Sequence, residues 1–122
     1  MAVTIIPLGI QGNALRIIRD AVANATAENN VNDGAGTIYA VTIDNAANAN
    51  KEYLKLYNVA APTVGTTDLD MILMIVASVK RTFVFKTGNN FATAVSYACV
   101  TTAGTAGTTN PVSTVLVDIL VA

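Results

Sequence analysis

The sequence predicts an all-β fold, an antiparallel β-sandwich or jelly-roll-like barrel preceded by an N-terminal arm and one short helix. Three observations carry this. From Thr37 onward, apolar and polar residues alternate with a period of two. Clusters of Gly, Asn and Thr interrupt the alternation at short intervals, as turns between short strands do. And the 122 residues are 52% hydrophobic but only 12% charged, about half the charged share of an ordinary soluble domain. The length suits one folded body, divided into residues 1–36, an arm with a short helical or extended segment, and residues 37–122, the sandwich.

Residues 1–12 are apolar but punctuated by Pro7, Gly9 and Gly12, which suits an irregular arm. Within residues 13–27, Leu15, Ile18 and Val22 recur at helical spacing, and Asn13 could cap the first turn. A short helix is the favoured reading there, and an edge strand over Leu15–Arg19 is the alternative. Residues 28–36 form a loop by composition. Tyr39, Val41 and Ile43 then alternate along a first strand, and residues 51–58 along a second. In the second, Leu54 and Leu56 share one face, and Lys51, Tyr53, Lys55 and Tyr57 the other. With the polar turn over residues 44–50 between them, the two strands predict a hairpin.

Residues 71–76, Met-Ile-Leu-Met-Ile-Val, are apolar on both faces. Only one face of a strand in an antiparallel sandwich meets the core, so the other should lie under the N-terminal segment or a neighbouring subunit. Phe83 and Phe85 mark a fourth strand, followed by a turn at Gly88-Asn89-Asn90. A fifth runs through Val95, Tyr97 and Cys99. After the Gly- and Thr-rich loop of residues 102–111, a last strand places Val115, Val117, Ile119 and Val121 on one face and extends into a sheet at the C-terminus.

Function is narrowed first by what the composition lacks. There is no His, so Ser-His-Asp and Cys-His pairs and His-ligated zinc are excluded. The single Cys99 has no partner for a disulfide, and an apolar strand offers nothing to activate it. High hydrophobicity with a net charge of -1 excludes disorder and gives no basic footprint for nucleic acid. The opening residues lack a positive n-region and are broken by Pro7, so a signal peptide is not expected. The apolar run of residues 71–77 is far short of a membrane span, so no membrane contact is expected either.

Two carboxylates, Asp68 and Asp70, sit two apart, where a strand would point both the same way. A metal or an acid–base pair could use that spacing, but charged gatekeepers beside an apolar strand are the favoured reading. The loop Ala103–Thr109 has glycines but no following Lys-Ser/Thr and no helix, so it is a surface turn rather than a phosphate cradle. No catalytic, cofactor or metal role is therefore assigned, and the chain is expected not to be an enzyme. The expected interface residues are Ile5, Ile6, Pro7, Leu8 and Ile10 on the arm, Ile72, Met74 and Val76 on the doubly apolar strand, and the Tyr53, Lys55 and Tyr57 face, where Tyr is at home in protein contacts. A carbohydrate would compete for that last face only if the tyrosines lined an open groove.

Several stretches resemble small structural proteins of tailed-bacteriophage virions. They are Thr37-Ile38-Tyr39-Ala40-Val41-Thr42-Ile43-Asp44-Asn45-Ala46-Ala47-Asn48, then Tyr53-Leu54-Lys55-Leu56-Tyr57, then Pro62-Thr63-Val64-Gly65-Thr66-Thr67. Arg81-Thr82-Phe83-Val84-Phe85, Ala98-Cys99-Val100-Thr101-Thr102 and Gly104-Thr105-Ala106-Gly107-Thr108 follow in order, so the similarity covers about residues 37–121. The first 36 residues depart from it. The resemblance implies a β-sandwich virion component, most simply a capsid decoration or cement protein that binds the major capsid protein. Tail, neck or fibre components and receptor- or carbohydrate-binding modules are the alternatives. By analogy with virion parts on symmetry axes a homotrimer is expected, assembled in the host cytoplasm.

Overall fold

The computed structural model describes residues 3–8 and 15–122. Eight strands follow one another: β1 (Val3–Pro7), β2 (Arg16–Asp20), β3 (Gly36–Asp44), β4 (Glu52–Tyr57), β5 (Met71–Ile75), β6 (Lys80–Phe91), β7 (Ser96–Val100) and β8 (Leu116–Val121). They form two antiparallel sheets, one of five strands in the order β1-β2-β8-β3-β6 and one of three in the order β5-β4-β7. The fold is the expected β-sandwich, and no described residue is helical. Between the sheets, Ile18, Ile38, Val41, Ile43, Val117 and Ile119 meet Leu54, Leu56, Ile75, Tyr97 and Cys99 in one core.

Four expectations are corrected. The favoured helix over residues 13–27 is strand β2 across Arg16–Asp20. Two adjacent β-branched residues, Ile17 and Ile18, fit a pleated surface better than a helix. The chain then turns at Ala21–Val22, where Asp20 Oδ1 accepts a hydrogen bond from Val22 N. Val22, the third residue of the supposed helical stripe, is exposed. Next, the arm is no free arm over residues 3–7. That stretch pairs with β2 in the register Val3↔Asp20 to Pro7↔Arg16. Because β2 lies between β1 and β8, the sheet begins well before residue 37.

The third correction concerns β3 and β4, which are not a hairpin but lie in opposite sheets. Asparagines hold the crossing between them. Asn45 Nδ2 donates to Asn50 O and Val76 O, and Asn48 exchanges bonds with Ser113, giving Nδ2 to its carbonyl and accepting its N–H at Oδ1. Last, Gly88-Asn89-Asn90 is part of β6 rather than a turn. β6 bulges against β3, with Ala40↔Val84 followed directly by Ile38↔Asn89. Gly88, at φ 79°, sits in that bulge so close to Thr37 that a Cβ would meet its Cγ2 at 2.4 Å.

Candidate functional site

Where the two sheets turn away from each other, the fold presents two outer faces. On the three-stranded sheet, the core-facing Leu54 and Leu56 force Tyr53, Lys55 and Tyr57 outward. They are not a free surface. Tyr53 is half-buried, and Lys55 and Tyr57 are fully buried. The loop of residues 102–111 folds back over β4, and Lys55 Nζ donates to Thr105 O at 3.1 Å and Gly107 O at 2.7 Å. Burial pushes the Lys55 ammonium below its ordinary pKa and the Tyr57 hydroxyl above its own. On β7, the outward Ser96 and Ala98 are small, which leaves room for the cover, and Ser96 Oγ donates to Val59 O in the other covering loop. Two turns of like sequence, Val64-Gly65-Thr66-Thr67 and Ala106-Gly107-Thr108-Thr109, belong to these loops and touch, since a Cβ on Gly65 would meet Thr108 Cγ2 at 2.6 Å. The expected contact face at Lys55 and Tyr57 is therefore internal packing.

The outer face of the five-stranded sheet is different. Ile18, Ile119, Val41 and Phe83 point inward or pack on the core, so their neighbours point out. The registers Ile6↔Ile17, Ile17↔Leu120, Leu120↔Ala40 and Ala40↔Val84 draw one apolar row across all five strands. Ile6, Ile17, Leu120 and Ala40 are partly exposed, and Val84 is 73% exposed. The next row is polar: Thr4, Arg19, Asp118, Thr42 and Thr82. There Arg19 grips Asp118 through Nε and Nη2 at 2.8 and 2.9 Å, and the Thr42 and Thr82 hydroxyls share a bond of 2.8 Å. Sequence reasoning named only Ile6 of the apolar row. The alternation of Leu116, Asp118 and Leu120 was the available signal, because a solvated face should not carry leucines.

The remaining expected interface residues divide. Ile5, at 42% exposure, and Pro7 are exposed on β1, as is Leu8 just after it, and Ile10 lies outside the described residues. On β5, Leu73 and Ile75 enter the core, Ile72 is half-buried, and Met74 and Val76 are 43% and 46% exposed. The second apolar face of that strand is thus largely uncovered, and the N-terminal strand lies in the opposite sheet. Asp68 and Asp70 precede β5 and are in no strand, so the geometry proposed for a carboxylate pair does not arise. Asp70 Oδ2 accepts from Asn58 N at 2.6 Å. Among the described residues no three His, Cys, Asp or Glu side chains are placed to hold a metal ion.

Further buried polar groups lie in the core, between the two sheets. Asp20 accepts the Tyr97 hydroxyl at 3.1 Å, and burial with that carboxylate raises the Tyr97 pKa. Both carboxyl oxygens of Glu52 are buried without a partner, and desolvation raises its pKa. Burial, together with Glu52 and Asp20, pushes the Cys99 thiol up to about 12, so it is a packed side chain and no nucleophile. A shallow hollow of about 280 Å³ at one end of the sandwich is lined by Ala21, Asp44, Ala46, Ala47, Thr114 and Leu116. No described helix is long and apolar enough to cross a membrane. No protein-family model, curated protein sequence or solved structure matches the chain.

Proposed function

We propose that the protein is a structural component of a tailed-phage virion, a capsid decoration or cement protein that docks on the major capsid protein through the outer face of its five-stranded sheet. One observation carries the proposal: the apolar row Ile6–Ile17–Leu120–Ala40–Val84, which the described chain leaves partly exposed and, at Val84, 73% exposed. A face of that kind is stable in water only as part of an assembly or as a patch small enough to tolerate. The strand-and-turn resemblance over residues 37–121 supports the same kind of protein. The mechanism is linkage. A protein that binds assembled shell and not its separated parts stabilises the shell by RT ln(1 + [L]/Kd) at every site. The carbohydrate alternative loses its support, because Tyr57 is buried and lines no groove.

The test is to assemble particles with the wild-type protein, with Val84→Glu and with none. Val84 is on the surface, so the variant should fold as the wild type does. The expected result is that Val84→Glu fails to join the shell and that its particles burst at the same lower temperature as particles lacking the protein. Normal incorporation of Val84→Glu overturns this docking face. Location of the wild-type chain on the tail rather than the head overturns the cement assignment.

A further inference from the structure

A sandwich of two open sheets has four edges, and an unpaired edge is a template for another strand unless something blunts it. Three of the four are blunted. The β7 edge is occupied by the chain itself: Glu28 and Tyr97 exchange backbone bonds at 2.9 and 3.1 Å, and Cys99 N donates to Asn24 O. The β6 edge carries Lys80, Arg81 and Lys86 and is broken by its bulge. The β1 edge ends in Pro7, which has no N–H to give. Among the described residues the β5 edge has none of these devices. Its sequence is Met-Ile-Leu-Met-Ile, without a charge, a proline or a bulge, and Met74 and the adjoining Val76 are exposed beside the half-buried Ile72 and Tyr53.

We propose that β5 pairs antiparallel with β5 of a second copy, about a two-fold axis at Leu73, so that two three-stranded sheets become one continuous sheet. The charges around the strand say why the occupant is another copy. Exposed Asp68 and Asp70 stand before β5, and exposed Lys80 and Arg81 stand just beyond it. The strand therefore runs from an acidic end to a basic end, and antiparallel pairing sets each end against the opposite sign. Ile72 then faces Met74 of the second copy twice over, with Tyr53 and Val76 flanking, while Leu73 and Ile75 stay in their own cores.

Two-fold closure gives a dimer and not the trimer expected by analogy. Five residues make a small interface, below the roughly 800 Å² per partner of a standard one, so the dissociation constant should be on the order of micromolar. On a shell, where copies are held close, that suffices. The inference is independent of the capsid reading and is tested on purified protein alone.

Sedimentation of the wild type from micromolar to millimolar concentration should show a monomer–dimer equilibrium. Met74→Lys, a charge on the exposed side of an edge strand, should raise the dissociation constant roughly tenfold or more with an unchanged circular dichroism spectrum. A second variant keeps the test sound should the first disturb folding. Ile72→Cys with Met74→Cys should oxidise to a covalent dimer, because the two positions oppose each other across the axis, and either single variant should cross-link far more slowly. A wild type that stays monomeric, a trimer, a dimer indifferent to Met74→Lys, or a double-cysteine variant that does not cross-link overturns the proposal.

Discussion

The two outer faces of this sandwich follow the same alternation and end differently. Behind β4 and β7 the outward residues Lys55, Tyr57, Ala98 and Val100 are as buried as the core, because the chain's own loops lie on them. Behind β2, β8 and β3 the outward residues Ile17, Leu120 and Ala40 stay partly exposed in a row that reaches Val84. A charged residue is thus fully buried on the covered face, while an aliphatic row lies on the open face beside the Arg19–Asp118 pair. Lys55 can be buried because two carbonyls receive its ammonium. Leu120 stays partly exposed because no loop of the described chain lies over it. Outward residues thus become buried or stay open according to the loops, and not according to the strand that carries them.

The strongest way to break this contrast is to remove the tie on the covered face. Lys55→Ala leaves the carbonyls of Thr105 and Gly107 without their donor and opens a cavity above β4. The expected loss is about 2–4 kcal/mol in urea denaturation. Limited proteolysis should then cut within residues 102–109. Lys55→Met keeps the apolar stem and should lose less. An Lys55→Ala protein as stable and as resistant as the wild type would show that the loop is held by something else.

A smaller effect is expected from Glu52, which shares the core-facing side of β4 with Leu54 and Leu56. Its folded-state pKa is raised by burial, so the unfolded chain gives up this proton before the folded one does. Stability is complete below the unfolded value near 4.3 and falls as pH rises towards the folded value. Glu52→Leu removes that dependence. The variant should gain on the wild type as pH increases from about 4 and hold that gain at neutral pH. A stability difference that stays constant with pH would mean that the Glu52 carboxyl finds a partner in solution.

Much of the fold was legible because period-two alternation is a local signal. It placed Leu54 and Leu56, and Val117, Ile119 and Val121, on core faces, and all of them are buried. What it lacked was non-local. Alternation in β3 and β4 could not say that the strands enter different sheets, since that is set by the Asn45 and Asn48 bonds to residues 76 and 113. Nor could it tell that β4's second face would be roofed by a loop whose composition resembles any surface turn. The open row was still less visible, because its members come from five strands scattered from Ile6 to Leu120 and meet only through register. For β2, five residues long, helical and extended spacing overlap, and its pairing with β1 on one side and β8 on the other makes it a strand.

The gentlest probe of the comparison is the ion pair on the open face. Arg19 and Asp118 are held in a two-bond grip, but the Arg19 side chain is 46% exposed and solvent screens the pair. If the face is open to water, Arg19→Ala should lower the urea midpoint slightly at low salt and leave it unchanged at about 1 M salt, where charges a few ångströms apart are screened. If this face docks on a shell as proposed, the same substitution in assembled particles should cost more, because docking would take the pair out of solvent and leave Asp118 without its partner. A loss in the isolated protein that persists in high salt would place the pair in a dry environment already. The face would then have its cover before any partner arrives, and the difference between the two sides of the sandwich would disappear.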